Sequence, residues 1–326
     1  MANFSRIFVT GGAGYVGSAL VPYLLAQGKD VSVYDTFWYG DTLKEHPRLR
    51  KVKGDIRNRD VLFDATKNHD ALIHLACISN DPSFDLDPNL GKSINRDAFF
   101  NVLDAARQNS EARFIYASSS SIYGVKSEPN VVETTPADPL TDYSKYKLEC
   151  ENILVETAPD LEYVTIRPAT VCGYAPRLRL DLVVNILTAH ALERRVIRVE
   201  GGDQLRPNIA MDDMVSIYNL VLHAPREKIY HQTFNAGYEN YTVKELAEKV
   251  QKNVLNTRIE YVPIKDPRSY HINSNKIRDQ LGFKPCSSID VAIQSLVTAY
   301  QNGLIQNALT NPLYHNIRRM KELALQ

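Results

Sequence analysis

The sequence predicts an α/β fold: a doubly wound parallel sheet with helices on both faces, joined to a smaller α+β domain toward the C-terminus. Three observations predict it. Short apolar, partly β-branched runs recur at 7–9, 31–34, 72–75, 114–116 and 163–166. Segments of helical periodicity separate them, and this alternation is the pattern of parallel strands linked by crossover helices. The first run leads directly into a glycine-rich turn, Gly11-Gly12-Ala13-Gly14-Tyr15-Val16-Gly17, that opens a helix.

That first crossover helix is expected from about Gly14 to Gln27, with Leu20, Val21, Leu24 and Leu25 as its buried stripe and Gly28 as a left-handed stop. Further helices are expected over Leu90 to Gln108 and Asp142 to Glu156. Beyond Arg167-Pro168 the texture changes: Pro168, Pro176, Gly201, Gly202 and Pro207 interrupt an arginine-rich segment. A second domain is expected there, with a helix over Val243 to Val254, a strand near Ile259 to Val262, and helices after Asn275 and Ile289. The run Arg206 to Met214 reads as a return to the first domain. The expected division is therefore discontinuous, 1–169 plus about 204–234 against about 170–203 plus 235–326.

Composition narrows the function classes. Lys plus Arg and Asp plus Glu both number 38 in 326 residues, so no net field recruits nucleic acid or a membrane surface. The four cysteines, Cys77, Cys150, Cys172 and Cys286, are widely spaced and form no CxxC pair, which fits reduced thiols in a cytoplasmic protein and points to no metal site. No apolar run approaches the roughly 20 residues of a membrane span, so a soluble protein is expected.

The glycine turn has a chemical reading. Between a strand and a helix, Gly11, Gly14 and Gly17 permit a tight turn and close approach of a diphosphate, whose charge the helix N-terminus favours. Tyr15 and Val16 lie within this cradle. The next strand ends at Asp35, about twenty residues on, where a carboxylate can accept hydrogen bonds from both hydroxyls of an adenosine ribose. Thr36-Phe37-Trp38-Tyr39 follows with no arginine for a ribose phosphate, which favours NAD over NADP. Asp55-Ile56 would sit at the adenine edge, or Asp55 is a turn or cap residue.

Tyr143 and Lys147 stand four apart, on one face of the helix expected from Asp142. An ammonium near a phenol favours the phenolate, making Tyr143 a usable base. Ser119, in the run Ser118 to Ser121, lies near a strand end where parallel sheets place ligands, so its hydroxyl can bind the same substrate oxygen. Together with a nicotinamide these groups make a hydride-transfer site. His74 reads as a strand residue, and Asn80 to Phe84 as a turn.

On these motifs, together with Gly54-Asp-Ile56, His74-Leu-Ala76, Tyr116-Ala-Ser-Ser-Ser-Ser-Ile-Tyr-Gly124 and Arg167-Pro-Ala-Thr-Val-Cys-Gly173, the chain resembles the extended short-chain dehydrogenase/reductase family, and within it the nucleotide-sugar epimerases and dehydratases. The resemblance covers nearly the whole chain and implies a Rossmann-type cofactor domain. It implies Tyr143 as catalytic base or acid, Lys147 on the nicotinamide ribose and Ser119 on the reacting hydroxyl. Leu75, Ala76, Asn95 and Pro168 are implied along the NAD. The substrate implied is a nucleotide-diphosphate sugar, and the assembly a homodimer through the helices flanking the serine strand.

The family's 4,6-dehydratases look like Thr-Asp-Glu where this chain has Ser119-Ser120-Ser121, so the acids that eliminate water are absent and a 4-epimerase matches better. The galactose-forming epimerases usually show Asn-Pro where Thr170-Val171 stands, a departure that leaves the sugar unassigned. Candidate holds on the substrate are Ser120, Ser121, Thr170, Arg177, Arg179, Arg206 and Arg268. Two alternatives stay open: one-way oxidation or reduction at C4, and an NAD-binding sensor without catalysis.

Overall fold

The computed structural model describes residues 4–109, 112–263 and 269–325. Twelve strands are found among them: β1 (Arg6–Thr10), β2 (Asp30–Asp35), β3 (Leu49–Lys53), β4 (Ala71–His74), β5 (Arg113–Ala117), β6 (Glu162–Pro168), β7 (Thr170–Cys172), β8 (Val196–Glu200), β9 (Leu205–Ala210), β10 (Gln232–Ala236), β11 (Glu239–Thr242) and β12 (Arg258–Val262). Seven form one sheet in the order β10-β6-β5-β4-β1-β2-β3, every neighbouring pair parallel. Its central strands are buried on both faces, which is why they read as unbroken apolar runs. Strand order reverses between β1 and β4. Ligand crevices of such sheets lie at that point, beyond the strands' C-terminal ends.

The first helix spans Gly17–Ala26 and buries Leu20, Val21, Leu24 and Leu25 as expected. It starts three residues late because Gly14 to Val16 are spent on the turn, and Gly28 ends the connection at φ +75°. The helix expected over 90–108 is broken into Pro88–Lys92, a π-helical turn Ser93–Asp97 and Phe99–Arg107. Asn95 sits in the π turn, where its carboxamide accepts from the Ile78 amide at 2.8 Å and donates to the Ile78 carbonyl at 2.9 Å.

Beyond β6, β7 joins β9 and β11 in a three-stranded sheet, and β8 pairs with β12. Helices Val183–Arg194, Val243–Asn253 and Ile289–Gln301 pack against these strands around Leu187, Ile197, Leu246 and Ile293. The chain returns to the large sheet through β10, preceded by the helix Met211–His223, which packs beside the first helix. Arg113 ties that return in place: its buried guanidinium donates to the carbonyls of Val221, Leu222 and Ala224, each at 2.8 Å, and pairs with Glu162 at 2.7 Å. Carbonyls at a helix C-terminus have no intrahelical donors, and a cation there satisfies both their hydrogen bonding and the dipole. No helix of the described residues is long and apolar enough to cross a membrane.

A second buried cation holds the helix Asp142–Thr157 to the sheet. Arg167, on β6, pairs with Glu151 of that helix at 2.7 Å and donates to the Tyr123 hydroxyl at 2.7 Å and the Glu133 carbonyl at 3.0 Å. Ser118 donates to Glu151, and Tyr123 passes the chain on to Asn235 at 2.8 Å. Removing one member strands an uncompensated charge, so Arg167→Met should lower unfolding free energy by about 3–5 kcal/mol. The double variant Glu151→Leu/Arg167→Met should recover part of that loss in urea denaturation. Additive losses would show that the two side chains do not act as a pair.

Candidate active site

A cleft of about 320 Å³ opens where β1 and β4 part, lined by the glycine turn, Asp35, Asp55, Ile56, Leu75, Ala76, the serine run, Tyr143, Lys147, Pro168, Thr170, Arg177 and Arg179. Gly11 decides its shape. With φ at +70° its amide reaches the Tyr34 carbonyl at 2.9 Å, and a Cβ there would lie 2.6 Å from the Ala76 nitrogen. At Gly17 a Cβ would lie 2.5 Å from the Gly12 carbonyl oxygen. Any larger residue would fill the cradle, so the turn fits a diphosphate lying against backbone. Tyr15 anchors the turn from behind, donating to the Gly173 carbonyl at 2.5 Å and accepting from Asn185 at 2.9 Å.

Asp35 ends β2 facing this cradle. Its carboxylate accepts from the amides of Ala13 at 3.0 Å and Phe37 at 2.8 Å, while burial pushes its pKa up against those bonds. Asp55 meets both sequence readings: it lines the cleft, and its carboxylate makes a turn with the Arg57 amide at 2.8 Å and pairs with that guanidinium at 2.8 Å. Asn95 is spent on Ile78 and stands behind the cleft wall, so it positions a lining residue rather than lining the cleft.

The helix bearing Tyr143 and Lys147 begins at a capping box in which Thr141 and Ser144 exchange backbone and side-chain bonds. The Thr141 hydroxyl also donates to Asp81 at 2.6 Å, fixing the helix start to the segment after β4. Lys147 is buried and donates to the Ala117 carbonyl at 2.6 Å, its Nζ 6.0 Å from the Tyr143 ring centre. Ser119 shares a hydrogen bond with the Ser121 hydroxyl at 2.8 Å, accepts from the Ser121 amide at 3.1 Å, and lines the cleft together with Tyr143.

The surroundings of the phenol work against the ionisation expected from Lys147. Burial first, then the neighbouring Cys77 and Asp81, hold the Tyr143 phenol well above its ordinary pKa, although Ser119 and Arg179 pull it down. Proximity to Lys147 alone does not make Tyr143 a base at neutral pH, because the ammonium is turned onto Ala117 while the phenol is desolvated. His74 is no acid or base: it faces Thr10 at 2.7 Å, and burial pushes its pKa down to about 3.

The four arginines separate. Arg179 pairs with Asp181 at 2.9 Å and donates to Ser79 at 2.9 Å. Arg177 reaches Asn316 at 2.6 Å and lies 4.0 Å over the Tyr39 ring. Its own backbone amide donates to Ser18 at 3.1 Å, so this arginine stands on the glycine-turn side of the cleft. Arg206 stands back from the lining on β9, with its guanidinium 5.7 Å from the ring of Tyr270, which does line the cleft. Arg268 lies outside the described residues. Sequence reasoning missed Asp81, read as part of a turn, and Asn316, whose contact with Arg177 spans 139 residues and carries no local signal.

The family model described as the NAD dependent epimerase/dehydratase family matches residues 7–237. The chain belongs to that family. This epimerase/dehydratase-family protein is 28% identical over 320 residues to UDP-glucose 4-epimerase of Lacticaseibacillus casei, covering 91% of this chain and 97% of that one. It is 29% identical over 318 residues to UDP-glucuronic acid decarboxylase 1 of Arabidopsis thaliana, covering 92% and 71% of the two chains. Among solved structures, UDP-glucose 4-epimerase of Thermotoga maritima with UDP-glucose shares the fold at a TM-score of 0.83 and 23% identity, covering 92% and 99%. The cofactor of this epimerase/dehydratase-family protein is NAD, and the cradle and ribose carboxylate described above fit it.

Two outcomes follow from the geometry. Gly11→Ala should abolish NAD binding in a titration calorimeter, and retained affinity would mean the close approach to Ala76 is not needed. In the ligand-free protein, an ultraviolet difference titration of wild type against Tyr143→Phe should show no phenolate from Tyr143 below pH about 10. Since the folded phenol is shifted upward, its contribution to stability is complete below the ordinary tyrosine pKa and is lost as pH rises above it. A Tyr143 phenolate at neutral pH would contradict the assigned burial effect.

Proposed function

We propose that this protein is an NAD-dependent nucleotide-sugar 4-epimerase. The observation that carries the reading is the convergence of Ser119, Tyr143 and Lys147 on one cleft wall, with hydroxyls rather than carboxyls following at Ser120 and Ser121. Two hydroxyl groups held together can share one substrate hydroxyl, with Ser119 orienting it and Tyr143 exchanging its proton. NAD, when bound, supplies reversible hydride transfer at the sugar's C4. Lys147 adds a buried cation beside the phenol, Asp35 offers its carboxylate to the adenosine ribose, and the glycine turn offers amides to the diphosphate. To invert C4, the 4-keto sugar turns over between the two transfers; Tyr143 can take and then return the proton only as a phenolate, so the positive charge of bound NAD, added to that of Lys147, would have to bring its raised pKa down.

Elimination chemistry has less support. Among the described residues, the acids lining the cleft are Asp35, Asp55 and Asp81. The first two lie on the adenosine side, and Asp81 is committed to the Thr141 hydroxyl. No pair of acids flanks Tyr143 to remove a C5 proton and protonate a departing C6 hydroxyl.

We also infer a homodimer through the helices Phe99–Arg107 and Asp142–Thr157. Phe100 is 40% exposed and Val155 68% exposed, and Arg96, in the π turn just before the first helix, pairs with Glu149 of the second at 3.3 Å. The reading includes a cytoplasmic location, supported by four unpaired cysteines.

Purified protein offered UDP-, GDP-, CDP- and dTDP-sugars should convert one of them to its C4 epimer with no net reduction of NAD. Loss of water from the sugar, or stoichiometric accumulation of reduced cofactor, would replace this reading with a dehydratase or a one-way oxidase. Tyr143→Phe should lower kcat by about 100-fold or more. Light scattering should give the mass of a dimer, and a monomer at high concentration would refute the assembly.

A further inference from the structure

Arg177 is a buried cation whose hydrogen bonding the protein leaves incomplete. Its side chain lines the cleft, and the residue is only 4% exposed. Nη2 donates to Asn316 at 2.6 Å, but Nε and Nη1 are buried and find no acceptor. An unpaired guanidinium donor away from water is costly. Burial, and then the like charge of Arg179, push the Arg177 pKa down to about 10.

The acids nearby are already committed. Asp181 serves Arg179 at 2.9 Å and the Asn316 amide at 3.3 Å. Asp35 accepts from Ala13 and Phe37 and faces the ribose position. No carboxylate among the described residues forms an ion pair with Arg177. Asp181 and Asp35 act on Arg177 only through space, so a directly bonded counter-charge has to come from whatever occupies the cleft.

Position says which anion that is. The Arg177 amide bonds Ser18, in the first turn of the helix opened by the glycine turn, and the guanidinium stacks on Tyr39, four residues past Asp35. Arg177 thus spans from the helix N-terminus toward the adenosine side, the stretch in which a dinucleotide's diphosphate lies. We propose that Arg177 is a cofactor-binding residue that clamps the diphosphate of NAD, supplementing the backbone amides of the glycine turn with a side-chain cation. Guanidinium groups match phosphate oxygens with paired, charge-assisted hydrogen bonds. Asn316 is a positioning residue for this clamp: it holds Arg177, donates to Ser79 at 3.3 Å, and sits at the start of the helix Asn316–Leu323, whose Arg319 binds the Trp38 carbonyl at 2.6 Å. The inference rests on NAD as cofactor and not on which sugar is converted.

The test is nucleotide binding by the full chain freed of cofactor, measured by calorimetry with NAD, ADP, adenosine and UDP-glucose. Arg177→Gln should weaken NAD and ADP by about 10- to 100-fold and leave adenosine unchanged, with Arg177→Lys in between. Asn316→Ala should weaken NAD in the wild-type background and add nothing in the Arg177→Gln background. Unchanged ADP affinity, or equal weakening of ADP and adenosine, would overturn the clamp by leaving Arg177 a packing role. Weakened UDP-glucose with unchanged NAD would overturn it by moving the arginine to the substrate. Should Arg177→Gln not fold, Arg177→Lys against the same four ligands decides on the same criteria. Wild-type protein that binds none of the adenine nucleotides would contradict the NAD assignment itself, a distinguishable failure.

Discussion

The buried pair between Glu151 and Arg167 is the constraint on which the rest of the site depends. Through it, helix Asp142–Thr157, β6, the Ser118 end of β5 and, by way of Tyr123, β10 meet in one hydrogen-bonded side-chain cluster. Two charges removed from water gain little net stability, but a buried pair with satisfied neighbours rejects other arrangements. Here the rejected arrangements are those in which Tyr143 slides along β5 relative to Ser119. Reactive groups tolerate little misplacement, so a polar cluster is better suited to this junction than an apolar one.

Charge in the cleft is arranged so that ligands complete it. The Tyr143 phenol is desolvated, and the cations nearest it are engaged elsewhere, Lys147 with a carbonyl and Arg179 with Asp181. These surroundings favour the protonated form of the Tyr143 phenol. A site of this kind spends little of its electrostatics on water and keeps it for bound groups, where low dielectric makes each contact stronger.

Much of this was legible in the sequence. The five apolar runs lie at β1, β2, β4, β5 and β6, because strands buried on both faces have little choice but continuous Val, Ile, Leu and Phe. Gly11, Asp35, Ser119 and Tyr143 converge on one cleft because each lies at or just past a strand end or in a first helical turn, and Lys147 joins them one turn beyond Tyr143 on the same helix face. What was not legible depends on distance along the chain. Arg177 and Arg179 carry the right charge for a phosphate, yet which end of the cleft they face is set by Ser18, Tyr39 and Ser79, all about a hundred residues or more away. The π turn likewise has no signature in Ser93 to Asp97; it is imposed by what Asn95 must reach.

That π turn also changes how the cleft wall is built. Beyond His74 the chain leaves the sheet, and Ile78 has lost its neighbouring strands. Asn95 answers both its amide and its carbonyl with one side chain, as an adjacent strand would with its backbone. The wall can therefore continue past the sheet's edge for several residues without another strand. A single carboxamide serves as a one-residue ladder, and the room it leaves is the room the cofactor needs.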